Sequence, residues 1–598
     1  MLIKVPPHRA VFFIYMAGHK EFGGNGYSPE VFRRYLRIHG LETKSDPGKQ
    51  GGIVRKDGNP IGWFRGPFWR ADENDPGISA SDVRPIYTEP NPSLALPNTG
   101  SELELNVIGL EGELENVVDL DNPVHLTLLD HNHHFANGNG NPVEFVPEEG
   151  FDTLGDTEKQ IGFSPELGRS CIELNFAPGH DGVYRNVQLV HALRKFARIA
   201  EENHTLVAPY SVIPHRALTQ EDVNPHPYVT RIALKYMGWE RVRHFSGTSF
   251  QTHTEMTSLP DALQAINRYQ MITPILLAPT LAGPFMNGSV QPPLQEIYQD
   301  VPDRESDELK SKTYDQLDHT TYQSGRYLSR FFGSPSGGVM RNPVPEDTNI
   351  YWDMAEKLVA SNESPTIGRV TGHHTDFRVR PDLGPHGTIE IAVMDTSGAR
   401  IERLIAMQEM TRIIGWKLQL AAHFGITDKL GESYPALFGQ TPSKETYETV
   451  HWNTMEVSKD GINAVIEGMD GKKYPINELW TQLLQFVQEP MEFPKLGVNY
   501  QGLPEPIMNE LVRSYKNPDE SFSQFSDENG ITSVAGYYET GLGSISQWML
   551  ARYKHLREKG MDEKEAIMNC SVDLGKSFHA YIFTKTAQDV CNLYNQNN

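Results

Sequence analysis

Four short stretches of this chain alternate apolar and polar residues with a period of two, and they lie far apart: 109–115 (GLEGELE), 171–176 (CIELNF), 249–256 (SFQTHTEM) and 387–395 (GTIEIAVMD). That period marks a β-strand with one buried face, because successive side chains point to opposite sides of a sheet. In the first stretch Glu111, Glu113 and Glu115 share one side, and Leu110, Gly112 and Leu114 the other. Carboxylates two apart on a strand stand about 6.6 Å from each other. They repel by roughly 2.5 kcal/mol at an effective dielectric near 20. Such a row is tolerated where water screens it or where a cation sits on it, and this stretch alone leaves both open.

The other three follow the same logic. Ile172, Leu174 and Phe176 are predicted to face a core, with Cys171, Glu173 and Asn175 opposite; a solitary half-exposed glutamate would read the same way. Gln251, His253 and Glu255 share a face opposite Phe250, Thr252, Thr254 and Met256, and His253 reads as a ligand or as a structural histidine. Thr388, Glu390, Ala392 and Met394 are predicted to lie opposite Ile389, Ile391 and Val393. Just upstream, Arg378 and Arg380 share one face if the backbone is extended. Arg326 and Arg330 stand in SGRYLSRFFGSPSGG among small residues. That setting suits an anion, because guanidinium forks match phosphate oxygens. His131, His133 and His134 fall in an Asn/Gly-rich stretch that reads as loop.

Around these strands the sequence divides in three. Residues 1–100 are rich in Gly, Pro and aromatics and read as a turn-rich extension with short strands and no assignable chemistry. Residues 101–430 alternate strands with helices, including one over 186–202 and a long one ending near 423. Residues 431–598 read as mainly helical, with helices near 476–488, 541–558 and 562–590, packed as a cap on the sheet. The expected class is α+β.

Composition narrows the function. A formal charge of −23 over 598 residues argues against wholesale nucleic-acid binding and against an anionic membrane surface. No apolar run reaches the 18 or so residues of a membrane span. The short run Ala10 to Ala17 after Lys4 and Arg9 faintly resembles a signal peptide, but the Pro6-Pro7 pair and the lack of a good small-residue cleavage site weaken that reading, and a buried first strand is expected instead. Three cysteines are too few for a disulfide framework, so a reducing cytoplasm is expected. Carboxylates from separate strands with a single histidine suit Mg²⁺ or Mn²⁺ better than structural zinc. With separated arginines to hold phosphates, they point to metal–nucleotide chemistry. The sequence carries no P-loop, no Rossmann GxGxxG, no kinase signature, no HExxH and no GxSxG.

In order, GLEGELE, CIELN, QTHTEM, SGRYLSRFFGSPSG, HTDFRVRP and GTIEIAVMDT resemble the motifs of the glutamate–cysteine ligase family, of the bacterial and archaeal carboxylate–amine ligase type. HWNTMEVSKDGINAVI is similar to a further segment of that family, so the likeness spans roughly 101–490. The resemblance implies a glutamine synthetase-like fold, a curved antiparallel sheet around an ATP site with several Mg²⁺ ions. Glu111, Glu113, Glu173 and Glu390 would hold the metals, His253 would sit at metal or nucleotide, and Arg326 would contact phosphates. Arg330 would assist in nucleotide binding, and Arg378 and Arg380 would act at the phosphoryl group. The implied reaction is ATP-dependent formation of γ-glutamylcysteine through an acyl phosphate, by positioning and electrostatic clamping. Two positions depart from the pattern. Gln251 stands where the family has the first histidine of H-V-H-V, and Ala392 where it has the arginine two residues beyond the last metal glutamate. They leave open a different amine or acid, and also a catalytically inactive nucleotide- or protein-binding relative. Homo-oligomerisation stays open as well.

Overall fold

The computed structural model describes residues 33, 36–37, 40–45, 52–64, 84–85, 94–115, 117, 161–165, 168–179, 182–216, 219–223, 248–285, 288–290, 343–360, 377–381, 386–490, 500 and 502–595. Near the start, β1 (Leu41–Glu42), β2 (Gly52–Lys56), β3 (Asn59–Phe64) and β4 (Arg84–Pro85) form a small antiparallel sheet in that order. The β2–β3 hairpin turns at Asp57 and Gly58, both with positive φ (51° and 81°), as a mirror-image two-residue turn requires.

The main sheet holds seven strands, all pairings antiparallel: β5 (Thr99–Gly109), β6 (Ile161–Pro165), β7 (Cys171–Gly179), β8 (Thr205–Ala208), β9 (Phe250–Glu255), β10 (Phe377–Arg380) and β11 (Thr388–Met394). Their order is β10-β11-β9-β5-β7-β6, with β8 on the far half of β5. One edge of β5 pairs with β7, and the other is shared, Thr99–Leu103 with β9 and Asn106–Gly109 with β8.

One face of this sheet is core. Leu103, Leu105 and Val107 of β5, Ile172 and Leu174 of β7, Phe250 of β9, Ile389 and Ile391 of β11 and Phe377 of β10 are all buried on it. Fully burying each such side chain contributes about 1.5–3 kcal/mol. The sheet is therefore tied to the helices that cover this face, α1 (Gly182–Glu202), α2 (Leu259–Met271) and α3 (Ile401–His423) among them. At Gly415 of α3 a Cβ would stand 3.2 Å from the Thr254 methyl, so glycine lets helix and strand close. One turn earlier, Thr411 Oγ1 donates to Thr252 Oγ1 at 3.1 Å. Near the C-terminus α4 (Glu563–Thr584) packs on β8, where the Val207 N–H donates to His579 Nε2 at 2.9 Å. The expected helix over 562–590 is broken at Lys585 and Thr586, and Thr586 caps a new helix, Ala587–Tyr594.

Two sequence expectations change here. The first concerns GLEGELE, which is not a strand. β5 ends at Gly109; a turn follows, with Gly112 at φ 95° and its N–H bonded to the Gly109 carbonyl, and Leu114 comes back beside Ile108. Leu110, Glu111 and Glu113 are exposed on the tip. Water is what screens these carboxylates. The second concerns Met394. A bulge between Ile391 and Met394 shifts the register, so Met394 pairs with Phe250 and leaves the face of Glu390.

Candidate functional site

The polar side of the sheet is built by register. Cross-strand partners share a face, so Arg378 on β10 faces Glu390 on β11, which faces His253 on β9. His253 is opposite Gly100 on β5; two residues on, Glu102 is opposite both Gln251 of β9 and Asn175 of β7, and Glu104 is opposite Glu173. Five strands, drawn from between residues 99 and 394, thus deliver carboxylate, imidazole and guanidinium to one surface.

Glu102, His253 and Glu390 meet there, with one ligand atom from each lying within 4.8 Å of the others. The His253 Nε2 stands 3.4 Å from Glu102 Oε1, while its Nδ1 is 3.4 Å from Thr388 Oγ1, which holds the ring in place. Both His253 and Glu390 are buried, and the contact of Nε2 with Glu102 falls short of a well-formed hydrogen bond. A cation between this nitrogen and the two carboxylates would give it a stronger partner. Atoms across an octahedral Mg²⁺ are about 4.2 Å apart at most, from bonds of 2.0–2.1 Å. Only one pair of the three can lie across the ion and the others would be about 2.9 Å apart, so the side chains would draw together on binding. Two carboxylates and an imidazole are a donor set for Mg²⁺ or Mn²⁺, so the residues fit such an ion.

Positive charge surrounds this group. Arg380 Nη1 donates to Glu390 Oε2 at 2.7 Å, and Arg378 Nη2 donates to Glu390 Oε1 and, at 3.4 Å, to Gln251 Oε1. Gln251 Nε2 in turn donates to Glu104 Oε1 at 3.0 Å, and Ser249 Oγ donates to its Oε2 at 2.8 Å. Burial pushes the Glu102 carboxyl up, but the facing His253, Arg380 and Arg378 outweigh that and hold it down at about 2. Glu102 is therefore an anion at neutral pH.

The expected site residues divide as follows. His253, Glu390, Arg378 and Arg380 come together. Glu173 lies on the same face beside Glu104, outside the three-residue group. Glu111 and Glu113 do not join them. The hairpin that carries them begins at Gly109, about 30 Å along β5 from Gly100, at roughly 3.3 Å per residue. Arg326 and Arg330, like His131, His133 and His134, lie outside the described residues.

Glu102 and Glu104 are the residues missed from sequence. Gly100-Ser101-Glu102-Leu103-Glu104 has the same G-x-E-x-E spacing as Gly109–Glu113, nine residues earlier. The distinguishing signal was continuity. Leu103, Leu105 and Val107 prolong the alternation after Glu104, whereas Gly109 and Gly112 punctuate the second copy.

No family pattern and no curated protein matches the sequence. Among solved structures the chain is similar to a bifunctional glutathione synthetase from Pasteurella multocida, with TM-score 0.44 and 12% identity over 82% of this chain and 52% of that one. The chain thus spans about half the length of that protein. It is also similar to a glutamate–cysteine ligase from Francisella tularensis in complex with AMP, with TM-score 0.38 and 10% identity, over 85% of this chain and 98% of that one. A third likeness is to a structure of the prokaryotic ubiquitin-like protein Pup with its ligase PafA, with TM-score 0.37 and 10% identity, over 78% of this chain and 70% of that one.

Proposed function

We propose that this chain is an ATP- and divalent cation-dependent carboxylate–amine ligase. The observation that carries the reading is the meeting of Glu102, His253 and Glu390 beneath Arg378 and Arg380 on one sheet face. In the proposed reaction a carboxylate oxygen of the acid takes the γ-phosphoryl group of ATP, releasing ADP and leaving an acyl phosphate. The amine nitrogen then attacks the acyl carbon, inorganic phosphate departs, and the nitrogen gives up a proton. Such chemistry asks the protein to position the reactants and stabilise charge, with little covalent participation.

Glu102, His253 and Glu390 would hold a divalent ion, which when bound supplies positive charge to phosphoryl oxygens. The Thr388 hydroxyl fixes the His253 ring, and Gln251 ties Arg378 to Glu104, so the face is held in place by its own side chains. Arg378 and Arg380 carry the fork-shaped donors that match phosphoryl oxygens. Glutamate as the acid and cysteine as the amine are what the resemblance to the glutamate–cysteine ligase family implies. A different amine is the second reading, favoured by Gln251 being committed to Glu104 and Arg378 and by Ala392 lying in the bulge of β11.

The test is ADP and phosphate release from ATP with Mg²⁺, followed by mass spectrometry of the products. Release that needs acid and amine together, with an amide product, supports a ligase; glutamate with cysteine identifies the first pair. No turnover and no ATP binding across a panel of acids and amines, in folded protein, would refute it.

A further inference from the structure

The same geometry holds a conflict that points to how the site is loaded. Both oxygens of Glu390 are already bonded to guanidinium groups, Oε1 to Arg378 and Oε2 to Arg380. Glu390 is only 1% exposed at the side chain, while the two arginines above it are 12% and 14% exposed. The guanidiniums therefore already occupy both oxygens of a carboxylate that is itself closed to solvent. A divalent ion approaching alone has to displace two cations from the carboxylate it needs, and would then share a buried site with them. An anion approaching alone draws the arginines away and strands a buried carboxylate, which is costly unless a new partner arrives.

We infer that Arg378 and Arg380 are exchangeable counter-ions of Glu390, so that a divalent cation and a polyphosphate each bind weakly alone and strongly together. The exchange satisfies all parties at once. The arginines pass from carboxylate to phosphate oxygens, and Glu390 passes from arginine to the metal. Coupling of this kind is reciprocal, each ligand raising the affinity of the other by the same factor. It would also keep the site from holding metal without nucleotide. The inference rests on the metal–nucleotide reading of this face, but it adds a property that reading does not require.

The experiment uses the full chain and ligands taken singly, so that chelation of metal by phosphate in solution plays no part. Mn²⁺ binding is measured by electron paramagnetic resonance without nucleotide, and inorganic triphosphate binding by calorimetry without metal. Replacing the arginines (Arg378→Gln with Arg380→Gln) should tighten Mn²⁺ binding, and Glu390→Gln should tighten metal-free triphosphate binding, each by about tenfold or more, the scale of freeing one member of a close charge pair. The second measurement stands by itself if the arginine variants fail to fold, and Gln at 390 keeps an acceptor for Arg378. A Glu390 whose sole role is as a metal ligand would leave metal-free triphosphate affinity unmoved. Mn²⁺ bound tightly and equally by wild type and arginine variants, with unmoved triphosphate affinity in Glu390→Gln, overturns the exchange and leaves the metal site standing. Absence of Mn²⁺ binding in all variants, and equally in wild type with a non-hydrolysable ATP analogue, overturns both.

Discussion

Glu102 stays ionised in a partly enclosed site because His253, Arg380 and Arg378 face it, and that fixes the sign of its pH dependence. Its folded pKa of about 2 lies below the reference value of 4.5. The stability it contributes is therefore complete above about 4.5 and is lost as the pH falls toward 2. Acid unfolding of wild type compared with Glu102→Gln should converge across that window, and parallel curves would contradict the shift. Activity separates the two G-x-E-x-E copies. Glu102→Gln or Glu390→Gln should lower turnover by at least about 100-fold, the scale of losing one electrostatic contact to a phosphoryl transition state, whereas Glu111→Gln and Glu113→Gln, exposed on the hairpin, should leave it unchanged. Steady-state assays on the four variants decide between them. Individual residues on β7, β9 and β10 were legible in sequence because strong alternation set their faces, and Arg378 and Arg380 do share one. Position 102 was not singled out, because a hairpin with glycines at both ends of its turn imitates two steps of strand alternation.

Elements add constraints that no local pattern contains. The bulge in β11 carries no glycine or proline to announce it, so the face of Met394 was misread, and the strand order that sets Glu390 beside His253 is a non-local fact. Helix ends offer direct tests. His204, exposed just beyond the end of α1, has φ 58°, a conformation that strains any residue with a Cβ. His204→Gly should raise stability by about 0.5–1 kcal/mol, read as an upward shift of the thermal midpoint; a downward shift would contradict this account of the turn. Lys417 of α3 is fully buried, and its Nζ donates to the carbonyls of Phe486, Val487 and Glu489 at the end of helix Ile476–Gln488, at 3.0 Å to Val487 and 2.6 Å to Glu489. Burial pulls its pKa down to about 7 against the attraction of Glu489. Between about 7 and 10.5 the unfolded chain then binds more protons at this residue than the folded one, so its contribution to stability rises with pH in that range. Denaturant titrations of wild type and Lys417→Met should show a stability difference that shifts in favour of wild type from pH 7 to pH 10; a constant difference would rule out the lowered pKa.

At the scale of the whole molecule, a seven-stranded sheet gathers strands from residues 99 to 394. Among the described residues no helix is long and apolar enough to cross a membrane. The polar sheet face is the organising feature, backed by a core that joins β-strands to α3 and to the C-terminal helices. The buried network of Arg400, Arg403 and Glu510, with Arg403 donating to the carbonyls of Pro279, Gly541 and Gly543, fastens those helices beside the start of α3. The mix of strands and helices was legible along the chain, whereas antiparallel pairing was an expectation carried by the family resemblance. The measurement that bears most directly on the account is anomalous diffraction from crystals grown with Mn²⁺ and a non-hydrolysable ATP analogue. A manganese peak bonded to Glu102, His253 and Glu390, with phosphate oxygens beside Arg378 and Arg380, is the expected result. A peak at the hairpin of Glu111 and Glu113, or none at the three-strand junction, would contradict it.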